Sequence, residues 1–166
     1  MGQVNEKKAT GCHNSLTMRS IFNFLNKQGY HPTYESTYIL FDLDDNSAVL
    51  EYENGILSIR LFFTIEEEAY GLFLEASNAA MMESFMVKPT ILDDMKSIVF
   101  SCEMMCDTAN EFKKFFPRGV ELLNESLYMH KEEIKKIIAS GKDYSGFSRQ
   151  EEEPYSVLPE CRKLVS

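Results

Sequence analysis

The stretch Ser47 to Thr64 reads SAVLEYENGILSIRLFFT and places Asn54-Gly55 between two runs of alternating apolar residues. Asn-Gly is strongly favoured in two-residue hairpin loops, because a type I′ turn requires a positive φ at both central residues. With this turn, the predicted pairs are Glu53–Ile56, Tyr52–Leu57, Leu50–Ile59 and Ala48–Leu61. Because side chains alternate between the two faces of a strand, the last three pairs share one apolar face.

The polar run at residues 42–46 separates this hairpin from another alternating segment. We place a second turn at Asp45-Asn46, since acidic and amide side chains favour tight turns. The predicted pairs are then Leu43–Ala48, Phe41–Leu50 and Ile39–Tyr52. The sequence thus predicts a three-stranded antiparallel meander with one apolar face.

A helix is predicted before the meander. Residues 15–30 carry apolar side chains at helical spacing, and Gly29 is typical of a helix C-terminus. Either Ser15 or Asn14 would act as the N-cap, because a short polar side chain can accept a hydrogen bond from the first turn.

Two capping boxes, Thr64-x-x-Glu67 and Thr108-x-x-Glu111, predict two further helices after the meander. The predicted helices are 64–84 and 108–139. Pro117 lies inside the second of them, where its ring clashes with the preceding turn and removes a hydrogen bond. We therefore expect the last helix to be kinked or split there.

Residues 85–91 and 96–104 read as two more strands, and Pro89 indicates that the first of them lies at a sheet edge or a bulge. The element order α-β-β-β-α-β-β-α predicts an α+β fold, with an antiparallel sheet packed against helices on one face. The predicted division is a flexible N-terminal lead-in, 1–14, one domain, 15–140, and a polar acidic tail, 141–166.

The composition is that of a globular protein, and 166 residues are enough for one domain with a real core. The net charge of −9 argues against nucleic acid and against anionic membrane surfaces as partners. A polar N-terminus without a signal peptide predicts a cytoplasmic location. No glycine-rich phosphate loop or catalytic motif is evident, so we expect no cofactor.

Two patterns keep an enzymatic alternative open. Asp42, Asp44 and Glu53 partly match a calcium-binding loop, although Ser47 occupies the position that requires glycine. The turn itself also explains these acidic residues. Cys102 and Cys106 are spaced like one pair of zinc ligands, but the sequence offers no second pair. One buried structural cysteine and one incidental thiol are therefore favoured over a metal site or a nucleophile.

The three histidines, His13, His31 and His130, are interpreted as surface residues, with His130 on a charged face of the last helix. The face of the meander away from the core carries a mixed set of side chains. Apolar Leu40, Val49 and Phe62 lie near Arg60 there, in a position where a polar surface is expected. These four residues are the predicted partner or dimer surface, although scattered apolar surface residues are also common.

The element order, together with FDLD at 41–44, LEY at 50–52, LSIR at 57–60 and the helix at 66–80, resembles the YbjN-like family. That family shares its fold with type III secretion chaperones, and its members are described as candidate regulators of bacterial origin. The resemblance covers residues 15–139. It implies a small homodimeric module that binds a partner polypeptide.

The sequence therefore favours a non-enzymatic cytoplasmic module, chaperone-like or regulatory, that forms a homodimer and binds another protein. The alternative is a metal-dependent or thiol-using enzyme built on Asp42, Asp44 and Glu53, or on Cys102 and Cys106.

Overall fold

The computed structural model describes residues 15–84, 86–142 and 144, together with the backbone of 156–157. Within these residues three helices pack on one face of a seven-stranded antiparallel sheet, which confirms the predicted α+β class. The helices are α1 (Met18–Lys27), α2 (Tyr70–Glu83) and α3 (Ala109–Ala139), with a 3₁₀ turn at Glu67–Ala69. The strands are β1 (Thr33–Tyr34), β2 (Ile39–Leu43), β3 (Asn46–Glu53), β4 (Ile56–Thr64), β5 (Val87–Ile91), β6 (Ser97–Met105) and β7 (Ser156–Val157).

The spatial order of the strands is β1-β2-β3-β4-β6-β5, and β7 pairs with β4. In this order β5 lies at an edge of the sheet, as Pro89 predicts. Proline has no N–H group to donate to a neighbouring strand, so it is favoured in strands that have a neighbour on one side only. Residues 1–14 lie outside the described part of the chain, so the three-part division stays a prediction. In the described part of the chain, no helix is both long and apolar enough to cross a membrane.

The hairpin at Asn54-Gly55 has the predicted register, from Glu53 opposite Ile56 to Ala48 opposite Leu61. Both turn residues have positive φ, 52° for Asn54 and 79° for Gly55, as a type I′ turn requires. One set of apolar side chains of this hairpin therefore faces the helices and shares a core with them: Ala48, Leu50, Leu57, Ile59 and Leu61.

The register predicted for the preceding hairpin is wrong by two residues. The observed pairs are Ile39–Leu50, Phe41–Ala48 and Leu43–Asn46. The turn consists of Asp44 and Asp45, and Asp44 adopts the left-handed φ of 52°. Asn46 instead belongs to β3. Because the error is an even number of residues, the predicted faces of both strands are unchanged.

Two predicted helix starts are also wrong. The α1 N-cap is Thr17, which forms a capping box with Ser20, while Ser15 forms an isolated bridge to Thr108. Asn14 lies outside the described residues. Thr64 does not cap α2, since it still pairs with Ser97 at the end of β4.

The last helix begins as predicted, with Thr108 and Glu111 forming a reciprocal capping box. It continues through Pro117 as one helix, so the proline does not split it. Two residues later Gly119 is buried against the sheet. A Cβ there would lie 2.5 Å from Met104 Cε and 3.4 Å from Ile59 Cδ1, so glycine allows a close approach of α3 to β4 and β6.

Replacing Pro117 with alanine is expected to raise the free energy of unfolding by about 1–3 kcal/mol. Pro117 is exposed, so the change removes no packing, and it restores a backbone donor within α3. Urea denaturation measures the change. An unchanged or lower stability would mean that the surrounding fold requires the distortion that proline imposes.

Candidate binding surface on the open face of the sheet

The sheet face opposite the helices, here called the outer face, carries a second, smaller apolar cluster. This outer cluster consists of Tyr38, Val49, Phe62 and Val99, with Leu40 and Leu92 packed at its margin. Val49 is fully buried and Phe62 is only 5% exposed. The core formed by the helices is separate from it, so no buried helix residue within the described ranges belongs to this cluster.

A charged pair lies next to the outer cluster along β3 and β4. Arg60 Nη1 is 2.9 Å from Glu51 Oε2, and both side chains are about 30% exposed. Arg60 Nε also donates a hydrogen bond of 3.1 Å to Ser58 Oγ. This second contact fixes the direction of the guanidinium group, because a planar fork that makes two contacts loses most of its rotational freedom.

The ion pair forms one wall of a cleft of about 560 Å³ that reaches from the outer face to Met18 of α1 on the helix side. Its lining includes Tyr34 of β1, Ile56 and Ser58 of β4, and Glu103 of β6. Tyr34 also belongs to the helix side, since it pairs with Ile39 and its ring centroid lies 6.2 Å from that of Phe22. The cleft therefore combines strands that are far apart in sequence. Its charged lining contains more carboxylates than cations, since Glu53 lies there as well.

Large apolar side chains remain exposed around the cleft. Ile56 is 51% exposed and Tyr34 is 50% exposed. Met105, which pairs directly with Ile56 across β4 and β6, is 81% exposed. Exposed apolar groups beside a concave site with oriented polar groups are typical of binding surfaces.

The structure brings the four predicted surface residues together. Leu40 pairs with Val49, and Val49 pairs with Arg60, while Phe62 and Val49 share the outer cluster. Their role in binding stays a prediction. The sequence did not single out Tyr34, Ile56, Met105 or Glu103 as one site.

The acidic residues of the calcium-loop alternative are not brought together. Asp42 pairs with Ser47 near the start of β3, and Glu53 lies at the other end of that strand. With about 3.3 Å per residue, the two ends are about 20 Å apart. Within the described ranges, no group of three or more His, Cys, Asp or Glu residues is placed to hold a metal ion.

The two described cysteines are buried free thiols. Burial, with a smaller contribution from Glu103, raises the pKa of Cys102. Burial, Glu111 and Asp107 raise the pKa of Cys106 to about 11. A raised pKa disfavours the thiolate, which is the reactive form, so neither residue has the properties of an activated nucleophile.

His130 is not a surface residue, contrary to the sequence-based interpretation. It is fully buried between α2, α3 and the sheet, where its Nε2 is 3.0 Å from Ser77 Oγ. The Phe73 and Phe100 rings pack on it. Desolvation lowers its pKa to about 4, although a hydrogen bond with the Phe73 backbone and the charge of Glu133 act in the other direction. The neutral imidazole is thus part of the core. Of the other two histidines, His31 is exposed and His13 lies outside the described residues.

Comparison with solved structures identifies the fold of this chain. The chain has a YbjN-like fold. It superposes on the crystal structure of YbjN, a candidate transcription regulator from E. coli, with a TM-score of 0.58 and 13% sequence identity, covering 73% of this chain and 94% of YbjN. An uncharacterized protein from Methanothermobacter thermautotrophicus matches with a TM-score of 0.55 and 10% identity, covering 74% of this chain and 99% of the other.

At these identities the similarity establishes the fold alone. No protein-family model matches the sequence. No curated protein matches it either. The resemblance predicted from the element order is therefore confirmed at the level of fold, and the function has to be argued from the surface.

Proposed function

We propose that this chain is a non-enzymatic protein-binding module that holds an extended polypeptide segment of a partner on its outer face. The observation that carries the proposal is the pair of exposed apolar side chains on the outer face, Ile56 and Met105, beside a cleft with an oriented ion pair. We include in the proposal a regulatory or chaperone-like role in the cytoplasm, with the chain acting as a homodimer.

The chemistry of the outer face defines the ligand. Burying one large apolar side chain contributes about 1.5–3 kcal/mol, so contact with Ile56 and Met105 alone can supply a useful part of a micromolar affinity. Glu103 and Glu53 favour a basic residue in the ligand, because charge complementarity across an interface selects partners and orients them. We therefore expect a ligand that combines apolar and basic side chains.

Panning a library of random peptides against the full chain tests this proposal. Peptides with apolar residues next to Lys or Arg should be enriched. The enrichment should be lost with Met105→Asp, which puts a charge on the apolar rim. Met82→Asp is the matched control, since Met82 is a similarly exposed methionine, 86% against 81%, at the end of α2.

Equal enrichment on both variants would contradict the proposed location of the site. No enrichment on the wild-type chain would contradict peptide binding altogether. Sedimentation velocity at micromolar concentration tests the homodimer separately, and a monomer would remove that part of the proposal.

A further inference from the structure

One stretch of β3 has a neighbouring strand on one side only. The ladder between β2 and β3 ends at the pair Ile39–Leu50, whereas the ladder between β3 and β4 continues to the pair Glu53–Ile56. Within the described residues, no strand takes the position that a longer β2 would occupy beside Glu51–Glu53. These three residues are here called the open edge.

The two hairpin turns determine which backbone groups point away from the sheet at the open edge. A two-residue turn is closed by a hydrogen-bonded pair, and such pairs alternate with non-hydrogen-bonded pairs along an antiparallel ladder. Glu53 belongs to the closing pair of the second hairpin, so Glu53 and Glu51 bond to β4. Tyr52 consequently directs both its N–H and its C=O toward the open side. The closing pair of the first hairpin, Leu43–Asn46, gives the same alternation along β3.

The cleft described above lies along this open edge. Its lining includes all three residues of the open edge, together with Ser36 and Thr37 from the turn between β1 and β2. Because no strand closes the edge within the described residues, one cleft can reach Arg60 on the outer face and Met18 on the helix side. Its volume of about 560 Å³ is in the usual range for a ligand site.

Other edges of the sheet are poorer templates for an added strand. β5 contains Pro89, which has no N–H group, and edge strands commonly use proline to prevent pairing. β1 has only two residues, and β7 covers β4 at Phe63 and Thr64. The open edge contains no proline. Its two carboxylates, Glu51 and Glu53, disfavour an acidic strand beside it, because like charges opposite each other are destabilising.

We propose that a partner polypeptide adds a short strand to the open edge, and that this strand carries alternating apolar and basic side chains. The inference rests on the proposed function and specifies how the ligand is held. One residue of the ligand exchanges two hydrogen bonds with Tyr52, in the way that Ile39 pairs with Leu50 in the sheet. In strand addition the main-chain hydrogen bonds supply affinity, and the pockets for alternate side chains supply specificity.

The two faces of β3 determine which ligand side chains fit. A residue paired with Tyr52 directs its side chain to the helix side, where Met18 and Tyr34 also line the cleft. This position favours an apolar residue. The next residue of the ligand points to the outer face, opposite the exposed carboxylate of Glu53. That position favours Lys or Arg, because opposite charges on directly paired strands stabilise each other.

Two synthetic peptides of equal composition test this pattern. One alternates lysine and valine, and the other carries the same residues in two separate blocks. Both are acetylated and amidated, so that neither has charged termini. Fluorescence anisotropy with the full chain should show at least about tenfold tighter binding of the alternating peptide. Equal affinities, or no binding of the alternating peptide, would overturn the proposal.

N-methylation of the alternating peptide separates backbone pairing from side-chain contact. The valine N–H groups face β3 in the proposed pairing, and the lysine N–H groups face away from it. Methylating the valine nitrogens should weaken binding at least about tenfold, since it removes a hydrogen bond and places a methyl group between the strands. Methylating the lysine nitrogens is the matched control and should change the affinity less than about twofold. Equal effects of the two modifications would contradict strand addition.

Hydrogen exchange at single amides locates the added strand. In the free chain the Tyr52 amide should exchange faster than those of Glu51 and Glu53, which bond to β4. The alternating peptide should slow exchange at Tyr52 at least about tenfold and leave the other two amides unchanged. Protection of Tyr52 without peptide would mean that another part of the chain, or a second copy, already covers the open edge. That result would also overturn the proposal.

The same measurements let the two proposals fail separately. If a panned peptide binds and Met105→Asp abolishes its binding, but Tyr52 stays unprotected, the proposed function stands and strand addition fails. If the alternating peptide protects Tyr52 and binds Met105→Asp with unchanged affinity, strand addition stands and the proposed location on the outer face fails.

Discussion

Replacing Phe116 with alanine is expected to lower the free energy of unfolding by about 3–5 kcal/mol, the range for large aromatic residues in a core. Phe116 is fully buried on α3, and its ring centroid lies within 5.2 to 6.0 Å of four other aromatic rings. These rings belong to α1, the segment that follows it, β2 and α3: Phe24, Tyr30, Phe41 and Phe112. The cluster therefore joins the N-terminal helix to the sheet.

Chemical denaturation measures this loss, and Phe115→Ala is the matched control. Phe115 is the adjacent phenylalanine but is only partly buried, so its replacement should cost clearly less. If Phe116→Ala is too unstable to purify, Phe116→Leu retains most of the volume and should show an intermediate loss. Equal losses for Phe115 and Phe116 would contradict the position of this cluster at the centre of the core.

His130 should make the protein sensitive to acid. The folded pKa of about 4 lies below the value of 6.5 for an unperturbed histidine. Below pH 6.5 the unfolded chain therefore binds a proton that the folded chain excludes, and stability decreases as the pH falls toward about 4. The full difference corresponds to about 3 kcal/mol.

The variant His130→Gln isolates this effect, because glutamine does not titrate and can still hydrogen-bond to Ser77. Its free energy of unfolding, measured by urea denaturation between pH 7 and pH 4, should fall less than that of the wild type. Comparing the two proteins removes the contribution of carboxylates whose pKa is lowered in the fold, such as Asp94 and Glu111. His31→Asn is the control, since it removes an exposed histidine and leaves His130 in place. Parallel slopes for all three proteins would contradict a buried neutral His130.

The hairpins show how far local sequence determines this fold. Asn54-Gly55 specifies one turn geometry, so its register could be predicted pair by pair. The earlier turn offers three adjacent residues, Asp44, Asp45 and Asn46, that all suit a turn, and composition alone does not choose among them. The two-residue register error leaves each side chain on the predicted face of the sheet, because side chains alternate between the faces with a period of two.

The features that could not be predicted from the sequence, such as the end of β4 and the burial of His130, depend on contacts between elements that are distant in the chain. Thr64 satisfies a capping-box pattern, yet pairing with Ser97 extends β4 through it. His130 has charged neighbours in sequence, but the packing of α2 and the sheet buries it. The outer face was predictable from alternation alone. The cleft was not, because Glu103 of β6 and Tyr34 of β1 reach it only through the strand order.

The affinity of a selected peptide for the full chain tests the proposed binding surface most directly. Fluorescence anisotropy would give the dissociation constant for the wild type, Met105→Asp and Met82→Asp. The proposed outer-face site predicts binding at least about tenfold weaker for Met105→Asp, equivalent to about 1.4 kcal/mol, and no change for Met82→Asp. Equal affinity for all three proteins, or a loss confined to Met82→Asp, would contradict a binding site on the outer face.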